Sequence, residues 1–238
     1  DFAVTDLSHS KAIIEIEGQD TKEVLKNFSS INQNLMVNSG NVIGTMSAMK
    51  NIVAKADVEE IFPQEVAIYD LNEFLASMSL FKEPVLDFQE SYVVIKEENS
   101  KSIGLRYWYS DPSVVTSPTK MITMPSEEVK FTMSNEDLNK LKRAAGVIQA
   151  PDLVLEKKDA DVFLTVKDKK NDTANTFSID VDTVADGSDF KFFFKVENLK
   201  LMDGDYEVDI SSKNISHLAS SNKDVEYWVA LEPESSYE

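Results

Sequence analysis

Apolar residues recur along this chain with two distinct periods. Over residues 21–31, Val24, Leu25, Phe28 and Ile31 fall three to four residues apart, with Lys22, Lys26 and Ser29 on the other side. That spacing predicts an amphipathic helix. A second helix is predicted over 71–81: Leu71, Phe74, Leu75, Met78 and Phe81 form its stripe, and Asp70 and Glu73 stand at capping-box spacing. Its polar face, with Asn72, Glu73, Ser77 and Ser79, carries no cation. A third runs from 135 to about 145, capped by Ser134 and stopped by Gly146. Leu138, Leu141, Ala145 and Ile148 face inward there, and Lys140, Lys142 and Arg143 face outward beside Asn139. A short fourth helix is expected around 196–202, with Lys195 and Lys200 flanking or joining it and Gly204 ending it.

Between these helices the period drops to two. Val162, Leu164 and Val166 alternate with Phe163, Thr165 and Lys167; Tyr206, Val208 and Ile210 alternate with Glu207 and Asp209; Val225, Tyr227, Val229 and Leu231 alternate with Glu226, Trp228 and Ala230. Turn-rich gaps such as Asn38-Ser39-Gly40-Asn41 and Asp203-Gly204-Asp205 join such runs, which points to antiparallel hairpins. The helix starts are spaced roughly 50 to 65 residues apart, as a helix-plus-strands unit used four times would be. Residues 111–120 carry Pro112 and Pro118 and few aromatic or charged anchors, so the boundary between two halves is placed there.

Composition narrows the function. Hydrophobic residues are 42% of 238, enough for a real core. No apolar run is long enough to span a membrane as a helix. The first residues lack the features of a secretory leader, so a cytoplasmic compartment is expected. The absence of cysteine excludes disulfides, zinc–thiolate sites, iron–sulfur clusters and cysteine nucleophiles. A net charge of −18 means that most of the surface repels nucleic acid, which makes cations gathered on helix faces the informative feature.

The search for chemistry is negative. Neither GxGxxG nor GxxxxGK[ST] occurs. His9 and His217 are the only histidines, and His217 is read as a surface loop residue. The acidic run 180–189 departs from a calcium loop at Val184, Ala185 and Lys191 and is read as a hairpin turn. Tyr107-Trp108-Tyr109 is read as packing in preference to a base-stacking platform. Phe192-Phe193-Phe194 is read as a strand covered on both faces. No catalytic residue, metal ligand or cofactor is assigned, and the chain is not expected to be an enzyme.

Four ordered stretches carry a family resemblance. Thr21-Lys22-Glu23-Val24-Leu25-Lys26-Asn27-Phe28-Ser29-Ser30-Ile31-Asn32 resembles the opening helix of the T4-like phage DNA polymerase sliding clamps. Val66-Ala67-Ile68-Tyr69-Asp70-Leu71-Asn72-Glu73-Phe74-Leu75 is similar to their second helix and its lead-in strand, Asp111-Pro112-Ser113-Val114-Val115 to their inter-domain segment, and Tyr227-Trp228-Val229-Ala230-Leu231-Glu232 to their final strand. The resemblance implies an α+β chain of two similar DNA-clamp domains, with helices lining a ring channel and antiparallel sheets outside. The expected division is an N-terminal extension over 1–18, clamp domain 1 over 19–112, a linker over 113–123 and clamp domain 2 over 124–238. Within the extension, Ala12-Ile13-Ile14-Glu15-Ile16-Glu17 is suited to adding a strand at an open sheet edge.

The resemblance further implies a homotrimer that encircles duplex DNA without reading sequence and tethers the phage DNA polymerase for processive replication. A clamp loader ATPase and the late transcription machinery are the other implied partners, and the cytoplasm of the infected host is the implied location. Lys22, Lys26, Lys140, Lys142 and Arg143 are the candidates for the channel wall. Val114, Val115, Ile122, Ala230 and Leu231 are the candidates for a partner-tail pocket, with plain core as the competing reading. The alternative function is a non-enzymatic phage structural or adhesion protein.

Overall fold

The computed structural model describes residues 12–15, 19–97, 104–118, 120, 122–185 and 189–238. The chain divides into two compact units, Asp1–Ala48 with Lys55–Thr119, and Met49–Ala54 with Lys120–Glu238.

The first unit holds β1 (Ala12–Glu15), α1 (Gln19–Ile31), β2 (Leu35–Val37), β3 (Gly40–Met46), most of β4 (Ile52–Phe62), β5 (Val66–Ile68), α2 (Leu71–Met78), β6 (Pro84–Phe88), β7 (Tyr92–Glu97) and β8 (Leu105–Trp108). One antiparallel sheet runs in the order β1-β6-β7-β8; in the other, β5, β2, β3 and β4 lie side by side. Ala12–Glu15 does add an edge strand, pairing along β6 with Ala12 opposite Phe88. The stripe read for α1 is buried at all four positions, with Phe28 fully enclosed. Asp70 caps α2 by accepting the Glu73 N–H at 3.0 Å. The helix stops at Met78, a turn before its expected end, and Ser77, expected on the wet face, is buried.

The second unit holds β9 (Val129–Met133), α3 (Asn135–Ile148), β10 (Asp152–Lys158), β11 (Asp161–Lys167), β12 (Phe177–Asp180), β13 (Thr183–Ala185), β14 (Phe190–Lys195), β15 (Tyr206–Ser211), β16 (Ile215–Ser220), β17 (Val225–Ala230) and β18 (Ser236–Tyr237). Its strands run β12-β11-β10-β14-β18 and β13-β9-β15-β16-β17. Residues 49–54 belong here, where the Ala230 N–H donates to Asn51 O at 2.9 Å. Helix α3 packs over β11 and β12, burying Leu138, Leu141 and Ala145. Phe192, Phe193 and Phe194 are all buried, a strand covered on both faces.

Two helix expectations need correction. Gly146 does not stop α3; the helix runs on to Ile148 and ends at Gln149, which takes the left-handed conformation at φ 55°. Asn and Gln tolerate that conformation less well than glycine, and Pro151 two residues later prevents any continuation. The fourth helix is absent: only a 3-10 turn, Val196–Asn198, forms. Leu199, Leu201 and Met202 are buried at a spacing no single helical face provides. The backbone of Met202 is held by tyrosines: its carbonyl accepts the Tyr206 hydroxyl at 2.7 Å, and its N–H donates to the Tyr227 hydroxyl at 3.2 Å. The described residues therefore hold three α-helices, and the four-fold repetition of helices does not hold.

Candidate nucleic-acid interface

Of the three helices, α1 and α3 present cations opposite their buried stripes. Lys22 and Lys26 stand one turn apart on α1. Among the described residues neither makes an ion pair. With Asn72, Leu75, Ala76, Met78, Ser79 and Phe81 they line an open groove of about 530 Å³ between α1 and the end of α2. Nothing in the sequence pointed to this groove, because the spacing within each helix does not reveal which helices adjoin.

The three cations of α3 differ from one another. Arg143 is exposed, and among the described residues it makes no ion pair. Lys140 is exposed and bonded to Glu136 at 2.6 Å, which pushes its ammonium pKa up. Lys142 is half-buried; desolvation pushes its pKa down, against the attraction of Asp203. Of the five candidate cations, only Lys140 has an ion pair among the described residues to break before it meets phosphate.

The pocket candidates divide between the units. Val114 and Val115 lie in the first, Val114 exposed and Val115 half-buried at the end of a 3-10 turn that Asp111 caps through the Ser113 N–H. Ile122, Ala230 and Leu231 lie in the second. Leu231 is buried, and its N–H donates to Asn214 O at 2.9 Å.

Other residues sit in settings the sequence did not disclose. His217 is a strand residue of β16, not a loop residue. Its ring stacks on Trp228 at 4.9 Å and lies between Glu226 at 3.0 Å and Asp209 at 3.6 Å. His9 lies outside the described residues. The aromatic triplet splits. Tyr107 is buried and donates to Asp70 O at 3.1 Å; Tyr109 is half-buried, and burial pushes its phenol up to about 12. Trp108 is 60% exposed, with the Tyr92 ring at 5.0 Å and the Arg106 guanidinium at 5.7 Å. Among the described residues no three His, Asp or Glu side chains are grouped to hold a metal ion.

Comparison with known proteins decides the family. Residues 10–105 match the model described as DNA polymerase processivity factor, and residues 130–233 match the gp45 sliding clamp, C terminal. The sliding clamp of Vibrio phage KVP40 is 33% identical over 219 residues, covering 90% of this chain and 97% of the relative. This chain belongs to the T4-like phage sliding clamps.

The sliding clamp of Enterobacteria phage T4 is 29% identical, covering 92% of this chain and 98% of its own. Solved structures agree on the fold. A. fulgidus PCNA, solved with the C-terminal region of FEN-1, has a TM-score of 0.68 at 15% identity, covering 94% of this clamp and 99% of that chain. The proliferating cellular nuclear antigen of Entamoeba histolytica has a TM-score of 0.64 at 14% identity, covering 89% and 94%. The clamp has the two-domain, antiparallel α+β fold expected, and it is a non-enzymatic processivity factor. The structural or adhesion reading falls away with this family membership.

Proposed function

We propose that three copies of this clamp close into a ring around duplex DNA and hold the phage polymerase there for processive synthesis. The observation that carries the reading is the placement of Lys22, Lys26 and Arg143 on solvent-facing helix surfaces of a chain with net charge −18. A ring retains DNA by topology, so its phosphate contacts need only be few and exchangeable. The acidic remainder repels DNA from the outside and favours threading through the channel. In this reading helices line the channel wall and sheets form the rim, with 113–123 as the linker between domains 19–112 and 124–238. In the same reading, Val114, Val115, Ile122, Ala230 and Leu231 meet the partner tails.

Ring closure needs two unlike edges that fit each other. Strand β8 ends the first unit's four-stranded sheet and β12 ends one sheet of the second, so each offers unpaired backbone groups among the described residues. Trp108 and Arg106 project from β8, and Phe177 and Asp180 are exposed on β12. Their aromatic and opposite-charge character supports pairing between copies. A clamp loader ATPase opens the ring, the late transcription machinery shares it, and the cytoplasm of the infected host is where it works. No described helix is long and apolar enough to cross a membrane.

The test is retention on nicked circular DNA after loading, compared with the same DNA linearised. The clamp is expected to stay on circles and run off linear ends. The triple variant Lys22→Glu, Lys26→Glu, Arg143→Glu is expected to keep its oligomeric mass and lose at least ~10-fold in loaded clamps, since each phosphate contact contributes to the salt-dependent affinity. Equal retention on linear and circular DNA would contradict the ring.

A further inference from the structure

The last seven residues of the second unit, 232–238, lie along the outer edge of β14. Glu232 N–H donates to Phe193 O at 2.8 Å, and Glu238 N–H donates to Asp189 O at 2.9 Å. Between these anchors only two residues form a ladder, Ser236 opposite Lys191 and Tyr237 opposite Phe190. At Phe193 the ladder fails: its N–H is met at 2.9 Å by the hydroxyl of Ser235, not by a backbone carbonyl. Side chains do the rest. Lys169 is bonded to Glu232 at 3.0 Å and Glu234 at 2.8 Å, and Lys195 lies 3.8 Å from Glu232. The Tyr237 ring stacks on Phe192 with centroids 6.4 Å apart.

We propose that the β14 edge is a docking site for an extended acidic peptide carrying an aromatic residue, and that residues 232–238 occupy it as a displaceable stand-in. The occupant reveals the chemistry of the site. Two carboxylates flanking one residue meet Lys169, and an aromatic ring three residues later meets Phe192. The stand-in is a poor strand: Pro233 has no N–H, the ladder is two residues long, and Pro233, Glu234, Ser236 and Glu238 are exposed. A partner segment of the same chemistry that pairs continuously with β14 makes the backbone bond at Phe193 that this segment replaces with a side chain. Every contact named here lies within the second unit of one copy, independent of any ring.

The test uses the full chain and a dye-labelled peptide, Glu-Pro-Glu-Ser-Ser-Tyr-Glu. In the parent the attached segment competes at millimolar effective concentration and suppresses binding. The full-length double variant Glu234→Lys, Tyr237→Ser is expected to bind the peptide at least ~10-fold more tightly than the parent. Adding Lys169→Glu is expected to abolish that gain. No binding to the double variant, or equal binding to parent and variant, overturns the proposal. Amide exchange in the parent gives a reading that needs no variant. The Phe193 and Glu238 amides are expected to exchange at least ~100-fold faster than those of β10, as a locally opening segment does. Protection equal to that of β10 would show that the segment is not displaceable.

Discussion

Lys142 and Arg143 are adjacent in sequence, yet only the arginine stands free in solvent. The hydropathy pattern placed both outside the buried stripe, correctly; it could not show that the Lys142 stem is half-covered. Lys142→Ala is therefore expected to change DNA retention less than Arg143→Ala, measured side by side on loaded circles. Acid behaviour is also set at single residues. Burial raises the pKa of Glu128, but the Ser212 N–H and hydroxyl, both at 2.9 Å, and Ser126 outweigh it and hold the carboxyl below its ordinary 4.5. Glu156 is likewise raised by burial and lowered more by Lys191, Lys158 and Lys167. A carboxylate whose pKa is depressed on folding stabilises above its unfolded value and loses that contribution as pH falls through the folded value. The melting temperature should hold steady near neutrality and fall below the ordinary carboxylate range. Ser212→Ala should lower it at neutral pH, with the difference from the parent shrinking as the medium is acidified.

The elements differ in how far the sequence disclosed them. Helix α1 and the alternating strands β11 and β15 were legible, because one face of each is buried and the period shows it. The N-terminus of α3 was legible because Ser134 accepts the Asp137 N–H at 3.1 Å, as a serine at that position should. Ser134→Ala is expected to cost about 1 kcal/mol in a denaturant melt, and Leu141→Ala in the same helix about 2–5 kcal/mol through the cavity it leaves. The missing fourth helix was not legible. Its segment has helical residues and a glycine stop, but its backbone partners are hydroxyls on β15 and β17, a tertiary relation no local pattern carries. Tyr206→Phe should loosen this segment first, with faster amide exchange around Met202 before any loss at β16. The exposure of Trp108 was missed because three aromatics in a row show no apolar–polar alternation, so the buried face could not be told from the open one.

At the scale of the molecule, a net charge of −18 and a DNA-handling role are reconciled if DNA meets only a small cationic surface. The family is established from the chain itself; the proposed ring is the step that would make the charge distribution functional. Trp108→Glu on β8 is expected to raise the dissociation constant between copies at least ~10-fold, as loss of a buried aromatic anchor at an interface does. Light scattering would show this as a shift toward the monomer. The most direct measurement is the mass of the parent chain in solution by light scattering across a range of concentrations at moderate salt. One chain is 26.7 kDa. The ring predicts three, about 80 kDa, by closed heterologous symmetry. A single-chain mass at every concentration would contradict it, leaving a clamp fold with no means of encircling DNA.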